Sequence, residues 1–117
     1  MESQTIIDRT TFNDLKDQLG ADFVIELIDT YNLETGQVIE QLHRPLAEQD
    51  APAFGRLAHS IKSSSASLGA LVFSQQAREL ELLGKANDLA GVGPKLEQLE
   101  TAFLRVKSCL EELKNEP

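Results

Sequence analysis

The residues of this sequence best suited to chemistry are a histidine and a lysine about one helical turn apart, His59 and Lys62. Imidazole titrates near neutral pH, so a histidine offers a nucleophilic nitrogen under physiological conditions. A lysine three residues later on a helix can reach an anion carried on that ring. Ser63 and Ser64 add hydroxyl donors. This set is suited to accepting a phosphoryl group, because that reaction depends mainly on the position of the acceptor and on nearby positive charge.

The predicted surroundings of His59 differ from those of an ordinary exposed helix position. With Phe54 at zero and about 100° per residue, the core stripe falls within roughly 40° of zero and His59 at about 140°. An exposed helix face normally carries long polar side chains that favour helix. Here the neighbours of the histidine are all small, namely Gly55, Ser63, Ala66 and Ala70. We therefore predict that this small-residue face is a docking surface for a second protein.

The composition limits the partners and the compartment. The chain has 117 residues, a length typical of one domain, and a formal net charge of -8. Such acidity argues against nucleic acid and against anionic membrane surfaces as partners. Cys109 is the only cysteine, and the sequence shows neither a signal-peptide pattern nor a membrane-spanning apolar stretch. We expect a monomeric, cytoplasmic protein with a buried Cys109 and a single domain over residues 1–117.

Apolar residues recur every three or four positions along nearly the whole chain, which predicts helices and no strands. A short first helix is predicted to begin at Thr11, capped together with Asp14, and to end at Gly20. A long second helix follows from about Asp22. Pro45 lies near its end and predicts a kink or an early boundary there.

Asp50 and Pro52 are typical of the cap and first turn of a third helix, which Gly69 ends or bends. The predicted inward face of this helix consists of Phe54, Leu57, Ala58, Ile61, Ser65 and Leu68. A fourth helix is predicted to end before Gly84, and residues 96–113 carry the regular apolar pattern of a fifth. The predicted fold is all-α, an antiparallel up-down four-helix bundle with a short additional N-terminal helix.

Residues 58–70, AHSIKSSSASLGA, resemble the signature of histidine-containing phosphotransfer (HPt) domains, which has a lysine three residues after the histidine and a Leu-Gly-Ala ending. Residues 77–81, ARELE, are similar to a stretch of the next helix in that family. The resemblance implies that His59 is phosphorylated and that Lys62 assists electrostatically. It also implies that donor and acceptor are receiver domains of response regulators or hybrid sensor kinases. Ser63 stands where the family usually has glycine, which leaves the partner preference open.

The resemblance further implies a phosphocarrier that does not cleave ATP and needs no metal or cofactor, because any Mg²⁺ belongs to the acidic pocket of the receiver. A free-standing carrier and the end of a hybrid sensor kinase both fit, and the length favours the former. The dimerisation domain of a histidine kinase competes, although such domains usually follow the histidine with an acidic residue. An adaptor bundle that binds a partner without chemistry also competes.

Two further sets of polar residues in the sequence are interpreted as solvated surface. His43 lies on the polar side near the end of the second helix, and we interpret it as solvated. With His59 it gives a poor metal site, because the two histidines are sixteen residues apart and lack a Cys ligand or an H-x-x-x-H pair. Arg78, Glu81 and Lys85 share one side of the fourth helix, where a solvated face is favoured over a border of the His59 surface.

Overall fold

The structure, a computed structural model, describes residues 6–116. Five helices lie wholly within this range: α1 Arg9–Leu19, α2 Ala21–Glu48, α3 Ala51–Ser67, α4 Leu71–Lys85 and α5 Val92–Lys114. No strand occurs between residues 6 and 116. Antiparallel α2, α3, α4 and α5 pack in a closed ring, and α1 packs on α2 and α3. The predicted four-helix bundle with an additional N-terminal helix is confirmed.

The start of α3 agrees with its prediction. The carboxylate of Asp50 accepts a hydrogen bond from the backbone N–H of Ala53 at 3.2 Å, and Pro52 occupies the first turn. This cap satisfies one of the backbone donors that a helix start leaves unpaired. The preceding helix α2 continues past Pro45 to Glu48, so its boundary is not early.

The predicted start of α1 at Thr11 is wrong, because an earlier residue provides the cap. The carboxylate of Asp8 accepts from the backbone N–H of Thr11 at 3.1 Å and from its hydroxyl at 2.5 Å. The helix therefore begins at Arg9, with Thr11 inside its first turn. The predicted end at Gly20 is confirmed.

A glycine with a left-handed backbone ties the turn after α3 to the entry of α1. Gly69 has a φ of 93°, a backbone conformation that costs glycine little free energy because glycine has no side chain. Its carbonyl accepts a hydrogen bond from the backbone N–H of Asp8 at 2.7 Å. A Cβ at this position would lie 2.8 Å from the carbonyl oxygen of Asp8. Glycine is therefore required here by both backbone conformation and space.

The bundle core is mainly aliphatic, and its burial is the main favourable contribution to folding. The largest fully buried side chains include Ile28, Leu42, Phe54, Ile61, Leu80, Leu96, Leu99 and Leu110. Cys109 is buried, as predicted. Among residues 6–116, no helix combines the length and apolarity needed to cross a bilayer.

One buried polar pair links α2 to α3. The hydroxyl groups of Tyr31 and Ser65 form a hydrogen bond of 2.7 Å, and Ser65 is fully buried. Burial raises the pKa of Tyr31 to about 12. Because an unpaired buried hydroxyl would cost free energy, this pair favours one register of the two helices. Ser65 therefore belongs to the inward face of α3, as predicted.

The helices α3 and α4 approach each other through two glycines, Gly55 and Gly84. A Cβ on Gly84 would lie 2.8 Å from the Cα of Gly55 and 3.0 Å from the carbonyl oxygen of Ala51. The prediction that α4 ends before Gly84 is wrong, since the helix continues to Lys85. Glycine at position 84 is therefore explained by the close approach of α3 and α4, and not by the end of a helix.

We expect Gly84→Ala to lower the free energy of unfolding by about 1–3 kcal/mol, the usual cost of overpacking. The added methyl group meets backbone atoms of α3, which cannot move aside as the end of a flexible side chain can. Urea denaturation measures the effect.

Gly93→Ala is the matched control, because a Cβ on Gly93 meets no atom within 4 Å. Gly93 also lies in a helix, where alanine is favoured, so this variant is expected to be at least as stable as the wild type. Equal stability of Gly84→Ala and Gly93→Ala would contradict the proposed steric contact.

Candidate functional site

His59 lies in the middle of α3 and projects from the bundle. Its side chain keeps 56% of its surface exposed, so the predicted outward position of the ring is confirmed. Of its two ring nitrogens, Nδ1 is bonded to a carboxylate, while Nε2 makes no hydrogen bond within residues 6–116. An attacking nitrogen must be accessible to its reaction partner, and Nε2 meets this requirement.

The carboxylate that contacts the ring belongs to Glu81 of α4. Its Oε2 lies 2.6 Å from Nδ1 of His59, and its Oε1 lies 2.8 Å from Nζ of Lys62. A second lysine, Lys85, has its Nζ 3.5 Å from Oε2. The Glu81 side chain is only 3% exposed. Burial of a carboxylate is unfavourable unless it is paired, and here three groups compensate for the lost water.

These contacts determine which nitrogen of His59 carries the proton. The hydrogen bond from Lys62 lowers the pKa of Glu81 from 4.5 to about 2, and the hydrogen bond from His59 adds to this against the opposing effect of burial. Glu81 is therefore ionised at neutral pH, and an ionised carboxylate can only accept. It follows that Nδ1 of His59 donates its N–H to Glu81. In the neutral ring the lone pair then lies on Nε2, the accessible nitrogen.

Glu81 is a residue of this candidate site that the sequence interpretation did not favour as part of it. The interpretation of its helix side as a solvated face is wrong for Glu81, although Arg78 and Lys85 are exposed. Glutamate is almost never fully buried unless it is paired, so composition alone predicts exposure. The signal available was its position at the end of residues 77–81, the second stretch that resembles the HPt family.

The predicted docking face contains two residues that are not on the surface. Gly55 is buried against Gly84 of α4, and Ala70 is fully buried at the start of α4. The prediction is wrong for both. Helix α4 covers the side of α3 on which Gly55 lies, whereas Ala70 lies beyond the end of α3, as the N-cap of α4, where the helical projection no longer applies. Ser63 is exposed and Ala66 is half-buried, so these two remain accessible beside His59.

The serines near His59 differ in the groups they bind. The hydroxyl of Ser64 donates to the backbone carbonyls of Ser60 and Ile61, at 3.0 and 3.3 Å. The hydroxyl of Ser63 makes no hydrogen bond within residues 6–116 and points to no protein partner there. Ser63 is thus the better placed of the two to donate to an incoming anion.

The other histidine does not belong to this site. His43 is exposed and its Nε2 lies 2.9 Å from Oε2 of Glu100, which agrees with its interpretation as a surface residue. In the described part of the chain, no three His, Cys, Asp or Glu side chains are grouped so that they could hold a metal ion.

The fold is thus a helical bundle, and an exposed histidine in the middle of one helix contacts a buried carboxylate on the next. The Hpt domain family matches residues 26–116, and the chain belongs to this family. The structure is similar to the crystal structure of histidine-containing phosphotransfer protein B (HptB) from Pseudomonas aeruginosa PAO1. The similarity has a TM-score of 0.87 and 26% sequence identity, and covers 93% of this chain and 94% of the HptB chain. No curated protein sequence matches the chain.

The protein is therefore a histidine-containing phosphotransfer protein of phosphorelay signalling. Members of this family are phosphocarriers, and membership implies interaction with receiver domains of two-component relays.

Proposed function

We propose that His59 is the phosphorylated residue and that it shuttles a phosphoryl group between two receiver domains. The observation that carries this proposal is the bond between Nδ1 of His59 and the ionised Glu81, which in the neutral ring places the lone pair on the accessible Nε2. Nε2 attacks the phosphoryl group of a phosphorylated receiver aspartate. The P–O bond to the aspartate breaks as the P–N bond forms, and the aspartate leaves with the bonding electrons.

Glu81 assists this step by stabilising charge. Attack by the neutral ring leaves a positive charge on the imidazole while Nδ1 keeps its proton. The carboxylate of Glu81, 2.6 Å from Nδ1, stabilises that charge and fixes the ring orientation. Lys62 holds the other oxygen of Glu81 at 2.8 Å and adds positive charge beside the reacting group. We also propose that the protein has no kinase activity of its own, which its membership of a family of phosphocarriers supports.

We further propose that the protein is a monomeric, single-domain carrier. One copy of the chain supplies His59, Lys62 and Glu81, which supports a monomeric carrier. The contacts of α1 with α2 and α3 support one domain over residues 1–117. We also propose a cytoplasmic location, which the single buried Cys109 supports because a reducing compartment leaves thiols unoxidised. The net charge of -8 supports partners other than nucleic acid and anionic membranes.

The test is to mix the purified protein with a panel of phosphorylated receiver domains without ATP. The expected result is a phosphate label on His59, located by mass spectrometry, together with loss of label from the receiver. A protein that binds a receiver but never takes the label would be an adaptor, and the proposal would fail. Labelling that requires ATP and an added kinase module would indicate a kinase fragment and would also contradict it.

We propose that Ser63 and Ala66 lie in the surface that receiver domains contact. Ser63→Arg is expected to slow transfer from a receiver by about tenfold or more, the equivalent of about 1.4 kcal/mol of lost binding energy, because a long side chain would prevent close approach. Ser108→Arg on α5 is the control, since Ser108 is also an exposed helical serine. Equal transfer rates in the two variants would exclude Ser63 from the interface.

A further inference from the structure

The space beside His59 has positive charge from residues other than Lys62. An open pocket of about 570 Å³ is lined by His59, Glu81, Arg56 and Lys85, with Gly55 and Gly84 among the small residues that complete it. The pocket lies beside the turn of α3 that precedes His59. Side chains on a helix lean towards its N-terminus, so the ring of His59 leans towards this turn. Lys62 is not among the residues that line this pocket.

The three cations near Glu81 differ in how strongly they are engaged. Lys62 is only 27% exposed and its Nζ lies 2.8 Å from Oε1 of Glu81. Lys85 is 68% exposed and its Nζ lies 3.5 Å from Oε2, longer than the usual charged hydrogen bond. Arg56 is exposed and makes no hydrogen bond or ion pair with any residue in the range 6–116. Lys85 and Arg56 are therefore more exposed and less strongly engaged than Lys62, whose ammonium group is mostly buried against Glu81.

The charges around the ring match those of a phosphoryl group. Three cations and one carboxylate leave a local excess of two positive charges, in a chain whose net charge is -8. A phosphoryl group on a side chain carries about -1.5 to -2 charges at neutral pH. The excess is thus of the right sign and size to neutralise that group, and it lies at the pocket that the His59 ring borders.

We propose that Lys85 and Arg56 bind the oxygens of the phosphoryl group on His59, while Lys62 holds Glu81 and contributes its charge without binding those oxygens. This inference rests on the proposed function of His59. When the P–N bond to Nε2 forms and the P–O bond to the donor aspartate breaks, the negative charge moves to the pocket. Lys85 then exchanges its long contact with Glu81 for the phosphoryl oxygens, and Arg56 reaches them from the preceding turn of α3.

The experiment uses phosphoramidate, a small phosphodonor, so that no receiver surface contributes. Lys85→Ala and Arg56→Ala are each expected to lower the rate constant for labelling His59 by about 2- to 5-fold, and together by about tenfold, at low ionic strength. Both effects should decrease between about 0.01 M and 1 M salt, as the screening length falls from roughly 30 to 3 Å. Lys85→Arg should restore most of the rate.

Lys107→Ala is the control, since it removes one exposed cation from α5, which lies outside the pocket. A wild type labelled at His59, with Lys85→Ala and Arg56→Ala as fast as this control, would overturn the inference and leave the proposed function intact. A wild type that takes no label on His59 from phosphoramidate or from any receiver would overturn the proposed function itself.

The Glu81→Gln background separates direct contact from action through Glu81. Lys85→Ala should lower the labelling rate by a similar factor in this background, because contact with the phosphoryl group does not require the carboxylate. If the effect of Lys85→Ala disappears in Glu81→Gln, Lys85 acts only through Glu81 and the inference is overturned.

Discussion

We expect His59→Ala to abolish phosphoryl labelling of the protein and to leave its fold intact. The substitution removes Nε2, the nitrogen proposed to form the P–N bond, and no other residue of the site offers an equivalent nucleophile. The ring is more than half exposed, so its loss leaves no cavity, and Glu81 keeps Lys62 and Lys85 as partners. The unfolding free energy should therefore fall by about 1–3 kcal/mol, the cost of removing one hydrogen bond to a buried group. Labelling is measured by mass spectrometry after incubation with a phosphorylated receiver, and folding by circular dichroism and urea denaturation.

The sequence contains a matched control for this prediction in His43. It is also an exposed histidine on a helix with one carboxylate contact, to Glu100 at 2.9 Å. His43→Ala should therefore be labelled as fast as the wild type. A label that survives His59→Ala, or one that disappears in His43→Ala, would show that the phosphorylated residue has been assigned wrongly.

We expect Glu81→Gln to slow phosphoryl transfer by about 10- to 100-fold, the range found for carboxylates that orient a metal-binding histidine through its other ring nitrogen. The amide oxygen can still accept from Nδ1, but it no longer carries the charge that stabilises the positive ring. The amide nitrogen would also face the ammonium group of Lys62, 2.8 Å from the present Oε1. Single-turnover transfer from a phosphorylated receiver measures the change.

The same variant has a pH signature in stability. Folding lowers the pKa of Glu81 from 4.5 to about 2, so the folded state favours the ionised carboxylate. Its stabilising contribution is complete above about pH 4.5 and is lost as the pH falls towards about 2. Glu81→Gln should therefore be about 1–3 kcal/mol less stable than the wild type at neutral pH, and this difference should shrink in acid.

Glu79→Gln provides the comparison on the same helix. Glu79 is exposed and pairs with Lys95 on the surface, where ion pairs contribute little. Its substitution should change neither the transfer rate nor, by more than about 0.5 kcal/mol, the stability. A stability difference between wild type and Glu81→Gln that stays constant down to pH 2 would contradict the role of the ionised carboxylate.

The parts of the structure that follow from local rules were predictable from the sequence. The cap at Asp50 and the first-turn Pro52 define the start of α3 within a few residues, and they do so in the structure. The helical period then places His59 away from the core stripe, and its ring is exposed. The predicted start of α1 was wrong by two residues. Asp8 and Thr11 are both residue types that cap helices, and in the structure Asp8 provides the cap.

The parts that depend on contacts between helices were not predictable in this way. A helical projection places Gly55 away from Phe54, but a second neighbour, α4, covers that side of α3 as well. The burial of Glu81 depends on the register of α3 against α4, which brings Lys62 and His59 to its two oxygens. The spacing of apolar residues within one helix carries no information about the register of that helix against its neighbour.

The turn at Gly69 gives the HPt signature a second meaning. Its carbonyl bonds the backbone of Asp8 at 2.7 Å, and no side chain fits between them. The Leu-Gly-Ala ending of the motif thus attaches the N-terminal helix to the bundle. One half of the motif, around His59, carries the proposed reactive group, and the other half, around Gly69, holds the N-terminal helix in place. Substitutions in the first half should therefore affect phosphoryl transfer, and substitutions in the second half should affect folding.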